Sequence, residues 1–285
     1  MDNKNFSLSI MEQLCFSTTR IEATDSNGNI SVGTGFFFCF KIDENTSIPF
    51  VVTNKHMVNG MKTGQFMFTK ADDSGNPINK EHIKIYIDQF EQQWFFHPDD
   101  DVDLCIMPVD KIHNIAQKQG EPLFYRTYDE TLIPDSYKLN ELDAVEDILM
   151  IGYPNGLWDS VNNKPIIRKG ITATDVKFDY KGKKEFLIDA ACFPGSSGSP
   201  VLLCNVGGYN DKNGSLILGG TRLFLLGILY AGPQLTVEGD IKVVTIPNVQ
   251  HKALVVSQIP NNLGCVIKSS RILDFIPIIK QKFNL

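Results

Sequence analysis

Short runs rich in β-branched and aromatic residues recur along the chain at 33–40, 49–53, 83–87, 104–109, 148–151, 186–188, 201–203, 223–229, 242–246 and 265–267. Clusters of Asp, Ser, Asn and Gly separate them, as in Asp25-Ser26-Asn27-Gly28-Asn29, Asp72-Asp73-Ser74-Gly75-Asn76-Pro77 and Asn210-Asp211-Lys212-Asn213-Gly214. Such residues tolerate the dihedrals of tight reversals, so the pattern predicts an all-β sandwich or barrel whose strands are joined mostly by hairpins. The longest apolar stretch, 223–231, has about half the length that a membrane-spanning helix needs and reads as a buried strand.

Two halves are expected. The stretch 111–143 is more polar and less periodic than its flanks, which predicts a linker between an N-terminal unit at 1–110 and a C-terminal unit at 144–268. After Ser269-Ser270, residues Ile272, Leu273, Phe275, Ile276 and Ile279 fall near helical spacing, with Lys280 and Lys282 in the last turn. This predicts a terminal helix over 269–285 packed on the second half, although Pro277 would remove a hydrogen bond from its interior. Neither an internal repeat nor a low-complexity segment interrupts the chain.

Composition narrows the partners. At 285 residues, with 42% hydrophobic and 21% charged residues, the chain is long enough to bury a core without disulfides or a structural metal. Its net charge of −6, with no run of basic residues, gives no footprint for nucleic acid or an anionic membrane. Cys15, Cys39, Cys105, Cys192, Cys204 and Cys265 form no C-x-x-C pair, so neither a zinc site nor a redox motif is expected. The opening residues lack an apolar leader core with a small-residue cleavage site. Free buried thiols in a cytoplasmic protein are therefore the expectation.

The segment Asp189-Ala190-Ala191-Cys192-Phe193-Pro194-Gly195-Ser196-Ser197-Gly198-Ser199-Pro200-Val201 sets a serine between glycines and between two strand-like runs. Glycines permit a tight loop whose amides converge, but a serine hydroxyl needs a base and an anion hole before it becomes a useful nucleophile. The G-S-S-G-S-P core resembles the nucleophile loop of chymotrypsin-like serine proteases, and the longer segment resembles that of bacterial Deg/HtrA proteases. Val51-Val52-Thr53-Asn54-Lys55-His56 resembles the family's histidine segment, and Asp103-Leu104-Cys105-Ile106-Met107 its aspartate segment. Gly33-Thr34-Gly35-Phe36 and Ile151-Gly152-Tyr153-Pro154-Asn155-Gly156-Leu157 extend the likeness to about 30–275, leaving no segment for a PDZ domain.

The resemblance implies a chymotrypsin-like double β-barrel with a C-terminal α-helix, no metal or organic cofactor, and a protein or peptide substrate. It implies Ser197 as nucleophile, His56 as base and Asp103 as orienting acid, with the amides of Gly195 and Ser197 forming the oxyanion hole. Ala191 then stands at the base of the specificity pocket, where an aspartate would select Lys or Arg, and Leu229, Tyr230 and Ala231 form its wall. An uncharged, aliphatic preference is expected. Ser196 replaces the aspartate of zymogen-type relatives, so restraint would fall to an activating partner or an oligomer. Ser199, where relatives usually have glycine, predicts a more restricted loop.

Asp101 is the fallback acid; Asp99 and Asp100 read as a solvated loop, Cys192 as core, and His82, His97, His113 and His251 as structural. An α/β-hydrolase elbow would use Ser197 with Asp240 and His251 but needs a helix directly after the serine, where Pro200-Val201-Leu202-Leu203 reads as a strand. A protease-fold binding protein with a silent site, and more remotely a serine esterase, complete the alternatives.

Overall fold

The computed structural model describes residues 8–44, 46–232, 234–240, 254–260 and 262–283. The run at 242–246 and His251 lie outside the described residues.

A short helix, α1 (Ile10–Leu14), is opened by a reciprocal capping box between Ser9 and Glu12. Seven strands follow: β1 (Thr18–Asp25), β2 (Ile30–Lys41), β3 (Ser47–Thr53), β4 (Met61–Ala71), β5 (Pro77–Asp88), β6 (Phe95–Phe96) and β7 (Cys105–Pro108). They pair in the order β5-β4-β1-β2-β3-β7-β6. Both ends of this path feed one apolar cluster, Ile85 and Ile87 from β5 and Phe96 from β6 joining Cys105 and Met107 from β7 around Phe37, Val51, Phe66 and Phe68. The sheet therefore curls around its own core.

Residues 111–143, expected to join the halves, mostly wrap the first one. They include most of α2 (Asp110–Lys118), then β8 (Leu123–Phe124) paired with β4, β9 (Tyr128–Asp129) parallel to β2, and α3 (Ser136–Asn140). The second half adds β10 (Asp147–Gly152), β11 (Ile166–Thr172), β12 (Glu185–Asp189), β13 (Pro200–Asn205), β14 (Gly208–Asn210), β15 (Leu216–Leu218), β16 (Arg222–Ala231), β17 (Gln234–Asp240), β18 (Leu254–Pro260) and β19 (Leu263–Lys268). Six of these close a barrel in the order β10-β11-β12-β19-β16-β13, while β14–β15 and β17–β18 are separate hairpins. The chain is thus mainly β, with two sheet units and a terminal helix.

Period-two alternation explains how the halves join. In β2, Phe37 points into the first core, whereas Phe36, Phe38 and Phe40 point to a second cluster shared with Ile151, Leu202, Leu225 and Ile228 of the barrel. Burying each phenylalanine contributes about 1.5–3 kcal/mol. A 3-10 turn at Ser269–Phe275 leads into α4 (Ile276–Phe283), and Ile272, Phe275 and Ile279 enter that same shared cluster. The terminal helix therefore sits in the seam between the halves, with Phe283 edge-on to Phe50, rather than on the second half alone. Pro277 is the second residue of α4, where a missing amide does little harm.

All six cysteines are free thiols. Among the described residues no helix is long and apolar enough to cross a membrane, and no group of three metal-ligating side chains occurs.

Candidate active site

Antiparallel pairing of β3 with β7 sets Thr53 opposite Cys105. His56 follows Thr53 by three residues, in a 3-10 turn at Lys55–Met57, and Asp103 precedes Cys105 by two, so the register itself brings them together. His56 Nδ1 lies 2.5 Å from Asp103 Oδ2, and the His56 backbone N–H donates to Asp103 Oδ1 at 2.9 Å. A carboxylate only accepts, so Nδ1 carries the hydrogen and Nε2 is left as the free lone pair. Asn54 Nδ2 donates to the Asp103 carbonyl at 2.8 Å and fixes the acid's backbone. Asp101, the fallback acid, is exposed and its amide donates to Asp99 Oδ1.

The serine loop is two consecutive turns. Ser196 N–H donates to Phe193 O at 2.9 Å across Pro194-Gly195, and Ser199 N–H donates to Ser196 O at 3.0 Å across Ser197-Gly198. Gly195 (φ +86) and Gly198 (φ +84) occupy the third position of each, the left-handed site that type II turns assign to glycine. Ser197 thus stands at a turn corner. Ser199 has no positive φ, so its replacement of glycine does not strain the backbone; its buried hydroxyl instead bonds Thr34.

Every carbonyl from 194 to 197 is held. Pro194 O accepts from Asn155 N–H at 2.5 Å, Gly195 O from the Thr34 hydroxyl at 3.0 Å, Ser196 O from Ser199, and Ser197 O from Thr34 N–H at 2.9 Å. Across a trans peptide the N–H points opposite to the preceding carbonyl, and no cis bond occurs among the described residues. Gly195 N–H and Ser197 N–H are consequently turned away from these partners, and neither meets an acceptor among the described residues. Two unpaired amides beside a serine are donors available to an anion. Asn155 reaches Pro194 from a left-handed conformation (φ 52), supported by Arg20 Nε donating to Gly156 O at 3.2 Å.

A β-carbon at Gly198 would lie 1.9 Å from Thr34 O and 2.6 Å from Thr53 Oγ1. Gly198→Ala is therefore expected to destabilise the protein by on the order of 3 kcal/mol, combining backbone strain with the clash. Urea denaturation measures it; a loss below about 1 kcal/mol would mean the loop relaxes freely.

Ser197 Oγ donates to Tyr230 O at 3.5 Å, and no hydrogen bond joins it to His56 among the described residues. Strand β13 begins three residues after Ser197, where an α/β-hydrolase elbow would have a helix. Burial pushes the Cys192 thiol up to about 11, so it packs as core. His97 is buried between Asp274 and backbone groups of Asp99 and Arg271, with its basicity lowered chiefly by burial, and His113 pairs with Tyr125 OH. His82 lies in β5 opposite Thr69. Of the expected pocket residues, Leu229 is buried, Ala191 and Tyr230 are half-buried and Ala231 is exposed. Leu229 O accepts from Gly198 N–H, which seats the wall beside the serine loop. The Tyr230 hydroxyl donates to Glu185 Oε2 at 2.9 Å, a partner brought in by barrel closure across β12, β19 and β16 that no local pattern announced. Only backbone is described at Asp240.

Residues 33–207, well over half of the chain, match the family model of the trypsin-like peptidase domain. No curated protein matches the chain. Among solved structures, the HtrA-type protease AlgW with tripeptide is 14% identical with a TM-score of 0.47, covering 94% of this chain and 61% of that one. The Rv3671c protease, inactive form, is 13% identical with a TM-score of 0.43, covering 93% and 89%. The catalytically inactive tobacco etch virus protease complexed with substrate is 13% identical with a TM-score of 0.46, covering 94% and 84%.

Proposed function

Because the chain belongs to the trypsin-like peptidase domain family, we propose that it is a serine endopeptidase working through an acyl-enzyme, with Ser197, His56 and Asp103 as its triad. Ser197 Oγ attacks the scissile carbonyl while His56 Nε2 takes its proton and then delivers it to the leaving amine. Asp103 keeps the hydrogen on Nδ1 and stabilises the charged imidazole. The Gly195 and Ser197 amides receive the negative charge that develops on the carbonyl oxygen, each donor contributing on the order of 10²–10³ in turnover. A water activated by the same imidazole releases the acyl group.

The observation that carries this reading is the two-point grip of Asp103 on His56, at 2.5 and 2.9 Å, which selects the tautomer the reaction needs. The substrate is a protein or peptide. We assign an uncharged, aliphatic preference before the cut bond, supported by Ala191 at the pocket base and Leu229 in its wall. Ser196 is buried and its hydroxyl accepts from Phe193 N–H, leaving no carboxylate at that position for a newly freed amino terminus to pair with. This favours control by a protein partner or oligomer.

One observation favours a second reading, a silent binding protein: Ser197 Oγ rests on Tyr230 O and not on His56. Triad hydrogen bonds often tighten only when substrate arrives. The test is a serine-directed fluorophosphonate on wild type and Ser197→Ala, beside a whole-proteome digest read by mass spectrometry. Labelling and new peptide ends that vanish in Ser197→Ala establish the endopeptidase. Silence from both points to a protease awaiting its activator or to the binding protein, and labelling with turnover of simple esters alone favours an esterase.

A further inference from the structure

Thr34 is fully buried in β2, in the first half, yet most of its polar atoms bond to the second. Its hydroxyl donates to Gly195 O at 3.0 Å and accepts from Tyr153 N–H at 3.1 Å and Ser199 Oγ–H at 3.3 Å. A hydroxyl has one hydrogen and two lone pairs, so this one is fully used. Thr34 N–H donates to Ser197 O at 2.9 Å, and Thr34 O accepts from Thr53 Oγ1 at 2.7 Å, on the strand that leads to His56. One residue thereby ties together the histidine strand, the serine loop and the 153–156 turn whose Asn155 amide holds Pro194.

We propose that Thr34 is a positioning residue for the oxyanion hole: its hydroxyl and amide pin the 195–196 and 197–198 peptides, which adjoin the peptides that carry the Gly195 and Ser197 amides, and so hold those two amides in place for substrate. This rests on the endopeptidase reading. Without the hydroxyl, Gly195 O and Tyr153 N–H both lose their partner in a dry site. Buried polar groups left unpaired drive the backbone toward another arrangement. Rotation of the 195–196 peptide to give Gly195 O a new partner would turn the adjoining 194–195 and 196–197 peptides, and with them the two amides of the hole. Thr34 touches no substrate, so its effect falls on the transition state and not on ground-state binding.

The experiment compares Thr34→Val, Thr34→Ala and Thr34→Ser with wild type on one peptide substrate, with active sites titrated. Thr34→Val, isosteric but without the hydroxyl, is expected to lower kcat about 10–100-fold with KM changed by less than about twofold. Affinity for a peptidyl trifluoromethyl ketone, whose adduct places an oxyanion in the hole, falls by the same factor. Thr34→Ser, which keeps the hydroxyl, restores both, and Thr34→Ala, with space for a water, falls between. A folded Thr34→Val or Thr34→Ala with wild-type kcat overturns the proposal, as does a loss confined to KM. Failure of both to fold, with Thr34→Ser unaltered, overturns it in favour of a purely structural hydroxyl. If wild type itself cleaves nothing that Ser197→Ala spares, the endopeptidase reading fails before Thr34 is tested.

Discussion

Replacing His56 with alanine is expected to lower kcat by about 10⁶-fold while the fold and KM stay as they are. The side chain is 47% exposed, and its ring hydrogen bond runs to Asp103. Truncating it leaves no cavity in the core. Asp103 Oδ1 keeps the backbone N–H of residue 56, so the carboxylate stays in place. What disappears is the lone pair that accepts the serine proton, and a neutral hydroxyl is a weak nucleophile without it. The anion hole remains, so a residual rate about 10³–10⁴ above water is expected. Imidazole added to the solution should restore part of the activity, because the vacated site opens to solvent. Turnover on a peptide substrate and a thermal melt check both halves of this expectation. Activity above about 1% of wild type, with an unchanged melt, would mean that another group takes the proton.

How far the sequence displays this arrangement depends on whether a feature is local. Strand β2 is legible because Phe36 to Phe40 are buried on both faces, which turns an alternating pattern into a continuous apolar run. Strand β1 is absent from the apolar runs: between Arg20, Glu22 and Thr24 only Ile21 and Ala23 are apolar, an alternation too short in apolar residues to form a run, and pairing with β2 and β4 fixes it. Strand β11 hides similarly behind Arg168 and Lys169, and behind Gly170, which is required because a β-carbon there would meet Asp189 O at 2.3 Å. Helix α2 buries only Ile112 and Ala116, too thin an apolar stripe to stand out from a polar linker.

The same division runs through the site. Pro194-Gly195 and Ser197-Gly198 announce two turns, and His56 and Asp103 announce themselves at strand ends. Thr34 and Asn155 lie in segments that resemble the family's, but nothing local gives their roles. Each matters through a contact made after the halves close: Thr34 lies more than a hundred residues from the carbonyls it holds, and Asn155-Gly156 writes a left-handed turn into the sequence but not the Pro194 carbonyl that the turn meets. Local chemistry is written in spacing, whereas the orientation of a peptide plane is written in its distant partners.

Asp103→Asn is expected to lower kcat by about 10⁴ without altering the fold. The reason lies in the direction of two hydrogen bonds. Asp103 accepts twice, from the His56 backbone N–H through Oδ1 and from Nδ1–H through Oδ2. An amide has one oxygen and one NH₂ group. Its oxygen must stay on the backbone N–H, because two donors facing each other there would repel. The NH₂ then faces Nδ1 and can donate only if Nδ1 is bare, which sends the ring hydrogen to Nε2. That tautomer presents a donor to Ser197 where the reaction needs an acceptor, and the imidazolium also loses its counter-charge. Asp101→Asn, on an exposed side chain two residues away, is expected to change kcat by less than about twofold. Both variants are measured on one substrate with wild-type protein beside them. A large loss at Asp101 with little at Asp103 would transfer the orienting role to the other acid. Equal losses at both would mean that the charge of the loop as a whole, and not the tautomer, supports the base.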